Sequence, residues 1–243
     1  MVPIINMIKK LLLIFLVPTG LSAQKLTAFD IVSKSIYAHD PFNNFEKFEG
    51  IFNYQIVRDK QATRNFTLAF NKPKDSFEYI VNTDSVSFKQ KIKKGKCYLE
   101  ANNRKKISSD LIKKYDITCE RTQYLEKVYN YLFGLPFKLK DPGVIISEQY
   151  SEKFFNGKTR YEIAVEFEKN TGTDHWYFYF DKKDFLLAGY KFHHDISKKD
   201  GEFIYLSDYE KFNGIIMPKT KKWHWNQTSE HFRTDKLEIV DKK

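Results

Sequence analysis

Residues 161–168 alternate by twos. Tyr161, Ile163, Val165 and Phe167 are apolar, while Glu162, Glu166 and Glu168 are charged. A period of two sends one set to a buried face and the other to water, so the segment is a strand in a sheet with one covered side. Trp176–Phe180 follows and is apolar on both faces, which predicts burial on both sides. Asp181–Asp184 turns the chain into Phe185–Phe192, and Asp195–Gly201 is a longer polar loop. Phe203–Phe212 and Ile215–Trp225 flank Asn213-Gly214, a strong two-residue hairpin signal that sets residue 203 opposite His224. Phe232–Val240 is a last, weaker strand.

The first half carries its own run of strand signals: Phe45–Arg58, Asn65–Asn71, Phe77–Asn82, Val86–Ile92 and Cys97–Glu100. Turn residues such as Lys72-Pro73-Lys74-Asp75 and Lys94-Gly95 separate them. Helical patterns interrupt the strands. In Leu26–His39, the residues Leu26, Phe29, Val32 and Ile36 share a face, and His39-Asp40-Pro41 ends the helix. Ser108–Tyr115 is weakly helical. Arg121–Phe133 is stronger, with Leu125, Val128 and Leu132 on one face and Gly134 and Pro136 at its end. The order predicts a mainly β (α+β) fold: a half-open antiparallel barrel of about 11 strands, with helices covering the concave side.

Met1–Ala23 has the layout of a secretory signal. Lys9-Lys10 precedes the apolar run Leu11–Val17, and Leu21-Ser22-Ala23 ends at a small residue. The run is too short to span a bilayer, and no Cys follows the expected cut to take a lipid anchor. Cleavage after Ala23 leaves residues 24–243, which no linker, repeat or low-complexity stretch divides, so one domain is expected. The signal holds two of the 41 basic residues and no acid, so the exported chain carries 39 − 31 = +8. Its lysines are dispersed, which suits a solvated surface, guarded sheet edges or contact with an anionic membrane surface. Export without a binding motif argues against nucleic acid as a partner. The even cysteine count and an oxidising compartment favour a Cys97–Cys119 bridge over two separately buried thiols.

Catalytic motifs are missing. The chain has no Gly-x-Ser-x-Gly elbow, no His-Glu-x-x-His, no phosphate loop and no dinucleotide fingerprint. His193, His194 and His224 are the nearest approach to a metal set, but alternation points His193 and His194 to opposite faces. No metal, cofactor or catalytic pair is expected. Asp181 and Asp184 read as turn residues. Trp223-His224-Trp225 places two tryptophans on one face of a strand.

The segment Tyr131-Leu-Phe-Gly-Leu-Pro-Phe-Lys-Leu-Lys-Asp-Pro-Gly143, with Tyr177–Asp181, Phe185–His193 and Lys211-Phe-Asn-Gly-Ile215, resembles a family of secreted Bacteroidota proteins of unknown function. That family is assigned to the LolA-like superfamily of periplasmic lipoprotein carriers, and the resemblance spans residues 25–240. It implies an incomplete antiparallel barrel, an apolar cavity for acyl chains and a lid of helices. In the carriers an arginine before a proline hydrogen-bonds the lid. Asn71-Lys72-Pro73 stands at the similar place, so Lys72 is the implied lid contact, with a lysine that lacks the planar fork of arginine.

The expected protein is a periplasmic or secreted, non-enzymatic monomer that holds a lipid or lipoprotein acyl chain. The expected lining is Tyr161, Ile163, Val165, Phe167, Trp176, Phe178, Phe180 and Phe203 from the sheet, with Phe29, Val32, Ile36, Leu125, Val128 and Leu132 from the helices. The alternative is a protein-interaction or envelope-sensor module whose interior is filled by its own side chains.

Overall fold

The chain was described from a computed structural model that covers residues 26–169 and 172–240. The signal-like segment 1–23 lies outside these residues. Helix α1 spans Ala28–His39, opened by a capping box in which Thr27 and Asp30 each bond the other's backbone N–H. Strands β1 (Glu49–Val57), β2 (Arg64–Asn71), β3 (Ser76–Asn82), β4 (Ser87–Lys93) and β5 (Lys96–Ala101) follow. Then come the short α2 (Ser109–Tyr115) and the longer α3 (Cys119–Gly134). The second half contributes β6 (Val144–Ile146), β7 (Ser151–Phe155), β8 (Lys158–Phe167), β9 (His175–Phe180) and β10 (Leu187–His193). It ends with β11 (Glu202–Phe212), β12 (Ile215–Trp225) and β13 (His231–Val240).

All strand pairs are antiparallel, in the order β5-β4-β3-β2-β1-β13-β12-β11-β10-β9-β8-β6, with β7 also on β8. The first and last strands meet at the centre, where β1 pairs β13, and each half of the chain runs outward from that seam as a meander. The two edges, β5 and β6, do not meet, so the sheet is an open, half-barrel form. Thirteen strands replace the expected eleven, because β6 and β7 occupy a stretch between α3 and β8 that carried no strand pattern. The β11–β12 hairpin turns on Asn213-Gly214, both at positive φ (48° and 86°), and sets Phe203 opposite His224. Cys97 at the start of β5 and Cys119 at the start of α3 are joined by a disulfide, with Cα atoms 5.8 Å apart.

The helices cover one face of the sheet, and its core falls into two clusters. Under α3 lie Phe52, Phe66, Leu68, Phe70, Phe77, Tyr79 and Phe88 from the N-terminal strands. Under α1 lie Ile163, Val165, Phe178, Phe180, Leu187, Ile204 and Leu206 from the C-terminal strands. Leu132 of α3 packs against both.

Candidate functional site

The site is built where the two clusters meet. Alternation along β12 sends Ile215, Met217, Lys221 and Trp223 to the helix side, and all four are buried. Opposite Lys221 in register stands Asp235 of β13, which is 1% exposed. A direct Lys221–Asp235 pair would be the simple outcome, but the carboxylate is already engaged. Arg233 holds it in a fork, with Nε 2.5 Å from Oδ1 and a terminal nitrogen 2.7 Å from Oδ2. The Tyr54 hydroxyl donates to Oδ2 at 2.7 Å and Trp223 Nε1–H donates at 3.1 Å. Four donors converge on this carboxylate, one on Oδ1 and three on Oδ2. Lys221, 3% exposed, makes no ion pair within 4 Å among the described residues. Its ammonium faces aromatic rings instead, 5.4 Å from the centroid of Phe133 and 5.7 Å from that of Tyr54.

The electrostatics follow from this geometry. Burial pulls Lys221 down to about 8, against the field of Asp235. Burial also opposes the charge on Arg233, yet the hydrogen bonds and field of Asp235 hold its pKa above the usual value. Burial beside Asp235 pushes the Tyr54 phenol well up.

One space adjoins this group and a second shares Phe133 with it. A narrow cleft of about 10 Å³ lies between the end of α3 and the sheet, with Leu132, Phe133, Leu135, Met217, Lys221 and Leu237 around it. A second pocket of about 160 Å³ is lined by Phe45, Phe48, Phe70 and Phe133 on one part and by the polar Asn71, Lys72, Asp75, Ser76, Glu126, Asn130 and Lys138 on the rest. Phe133 is a wall of both. Asp40 places the pocket's outer wall, because its carboxylate accepts from Phe45 N–H (2.7 Å) and Asn44 Nδ2–H (3.0 Å). Phe45 then stacks on Phe137 with centroids 4.3 Å apart.

The two covering helices are held differently. His39 of α1 donates from Nδ1 to Ile216 O (2.6 Å) and accepts at Nε2 from Leu187 N–H (3.0 Å). The ring is therefore the neutral Nδ1–H tautomer, and burial takes its pKa down to about 4. In α3 the directional ties sit at the N-terminal end: the disulfide, and the Thr122 hydroxyl bonded to Gln90 Oε1 (2.8 Å). Its last turns rest on apolar and aromatic contacts, with Phe133 against Phe52 (5.1 Å) and Phe70 (4.7 Å).

Residues 8–240 match a protein family described as a family of unknown function, DUF6503. The chain belongs to that family. None of the curated proteins matches this DUF6503 chain in sequence. Among solved structures it is similar to a LolA superfamily protein from Nitrosomonas europaea. The TM-score is 0.51 at 10% identity, over 90% of this chain and 96% of that one. A putative outer membrane lipoprotein-sorting protein domain from Vibrio parahaemolyticus gives 0.47 at 12% identity, covering 86% and 89%. A DUF1329 family protein from Desulfovibrio piger gives 0.47 at 12%, covering 87% and 90%. At such identity the likeness speaks of fold alone, and that fold is LolA-like. Among the described residues no helix is long and apolar enough to cross a membrane.

Most of the sheet residues expected to line a cavity share one inner face: Ile163, Val165, Phe178 and Phe180 are buried there, and Tyr161, Phe167 and Trp176 pack at its margin. Val32 and Leu125 are buried, and Ile36, Val128 and Leu132 are half-buried. Two residues belong elsewhere. Phe29 is 60% exposed, because α1 buries Ala28, Ile31, Val32, Ser35 and His39, and one residue further on turns Phe29 about 100° away from that face. It lies near Lys140 instead, with Nζ 5.6 Å from its ring centroid. Phe203 is on the outer face, stacked on His224 at 4.7 Å and packed edge-on against Phe155 of β7. Gly189 makes room for that outer packing, since a Cβ there would lie 2.6 Å from the Phe155 ring. Lys72 reaches Glu46 (3.2 Å) and the Phe45 ring (4.5 Å), so it ties the β2–β3 turn to the segment after α1 rather than to α3.

The sequence reading missed Lys221, Arg233, Asp235 and His39. A signal for the first existed. Counting by twos from the Asn213-Gly214 hairpin puts Lys221 on the same face as Ile215 and Met217.

Proposed function

We propose that this protein is a non-enzymatic binding protein of the cell envelope that takes an acyl chain between α3 and the sheet. The observation that carries the reading is the pocket lined in part by Phe45, Phe48, Phe70 and Phe133, which shares the Phe133 side chain with the narrow cleft beside Lys221. A rotation of that ring, with a small outward swing of the end of α3, joins the two into one apolar channel. Each methylene buried there contributes about 0.8 kcal/mol, so a short stretch of chain suffices for useful affinity. The LolA-like fold agrees with this use of the concave face. A signal segment at 1–23 would deliver the protein to the periplasm or beyond.

The second reading, an interaction module with a filled interior, has one observation in its favour: the cleft holds only about 10 Å³ as it stands. Titration of a dansyl-labelled undecanoic acid separates the two. Saturable fluorescence gain, with lipid mass retained in native mass spectrometry of protein purified from its own envelope, supports the carrier. Absence of both leaves the interaction module.

A further inference from the structure

The fold closes around an ammonium that it does not neutralise. The group under α3 contains two cations, buried Lys221 and partly buried Arg233, and one buried anion, Asp235. Arg233, Tyr54 and Trp223 engage the carboxylate of Asp235, and Lys221 makes no ion pair with it or with any other acid among the described residues. An isolated buried ammonium is strongly unfavourable compared with one in water. The buried hydroxyls of Tyr131 and Tyr190 also have no hydrogen-bond partner among the described residues. Tyr190 lies within the electrostatic field of Asp235 and of Tyr131, on the same inner face. Lys221 lines the narrow cleft, where the channel of the acyl-binding reading would end.

We propose that Lys221 is a head-group site, and that the ligand is a single acyl chain ending in a carboxylate which enters head first and pairs with the Lys221 ammonium. This rests on the acyl-binding reading and specifies its ligand. The carboxylate supplies the ion-pair partner that Lys221 lacks, and the chain behind it lies along Leu132, Phe133 and Met217 toward the pocket lined by Phe45 and Phe70. The depressed pKa of Lys221 agrees with a charge waiting for a partner. An outward-facing head would meet Lys72 or Lys138 instead, but Glu46 already pairs the first at 3.2 Å and Asp141 the second at 2.8 Å.

The experiment compares dansyl-undecanoic acid with its methyl ester on wild-type protein and on Lys221→Met. In wild type the acid should bind at least about tenfold more tightly than the ester, since only the acid makes a charge-assisted pair. In Lys221→Met, which stays folded because methionine fills the same space without a charge, the preference should fall to within about twofold while the ester still binds. Equal binding of acid and ester by wild type overturns the head-group site and leaves the acyl-binding reading standing. Binding of neither overturns both. A preference that survives in Lys221→Met places the head on another cation and also overturns the site.

Discussion

The half of the molecule under α1 and the half under α3 are built from the same kind of strands yet finished differently. Under α1 the core is largely aliphatic at its centre, with Ile31, Val32, Ile163, Val165, Ile204 and Leu206. His39 pins the end of the helix to two strands at once, through Ile216 O and Leu187 N–H. Under α3 the core is a sheet of rings, with Phe52, Phe66, Phe70, Phe77 and Tyr79. The directional ties of α3 lie at its N-terminal end, and its C-terminal turns end over an unneutralised lysine. A helix bonded at its far end is a fixed cover. A helix bonded only at its near end and resting on flat rings can swing. On the acyl-binding reading, the difference teaches which side of the fold should open: α3 is free to swing about Cys119 and Thr122, while His39 holds α1.

The largest effect that would sharpen this comparison comes from the charged seam. Asp235→Ala leaves buried Lys221 and partly buried Arg233 without a counter-charge and should cost about 3–5 kcal/mol of stability, as removal of one partner of a buried pair does. Urea denaturation measures it. Lys221→Met should leave stability unchanged or raise it, and the opposite order of the two variants would contradict the assignment of Asp235 to Arg233.

The α1 latch should show in pH. The unfolded His39 titrates near 6.5 and the folded one near 4, so between those values the unfolded chain binds more protons. The latch contributes fully above pH 6.5, weakens as the pH falls, and is lost by about pH 4. At about 1.4 kcal/mol per pH unit, the swing is on the order of 3 kcal/mol. Comparing the pH dependence of unfolding in wild type and His39→Phe isolates it, and an unchanged slope in the variant would remove the latch from the account.

Reduction of the disulfide acts on the other helix. Releasing Cys97 from Cys119 should cost about 3 kcal/mol through the unfolded chain, measured by the thermal midpoint with and without reductant. It should also loosen α3 while leaving α1 protected. The smallest effect is Phe133→Leu. Trimming the ring between pocket and cleft should cost roughly 1 kcal/mol and speed the uptake of the dansyl acid in stopped-flow fluorescence. Slower uptake would mean that Phe133 is not the barrier.

Much of the architecture was legible in the residues. Alternation in β8 and the two-residue hairpin at Asn213-Gly214 fix strand faces without outside help, and the inner positions Ile163, Val165, Phe178 and Phe180 follow. The failures have physical causes. Strand β7 reads Ser-Glu-Lys-Phe-Phe and exposes all but its last residue, so it shows no alternating pattern. That hidden strand lays Phe155 on the outer face, which explains why apolar side chains occupy both faces of β9 and why Phe203 was assigned inward. Counting from the hairpin settles it, since Trp223 is inward and stands opposite Ile204, leaving Phe203 outward. In α1 the buried stripe includes Ser35 and His39, and an apolar-only reading slid to Phe29 instead. The candidate site was least legible, because its central residues are charged and the pattern that finds cores ignores charge.

The most direct test of the account is hydrogen exchange on the two helices, read by mass spectrometry with and without dansyl-undecanoic acid. The account predicts that amides 129–134 of α3 exchange faster than the C-terminal turn of α1 in the free protein, and that the acid slows them while leaving α1 unchanged. Equal protection of both helices, with no response to the acid, would contradict it.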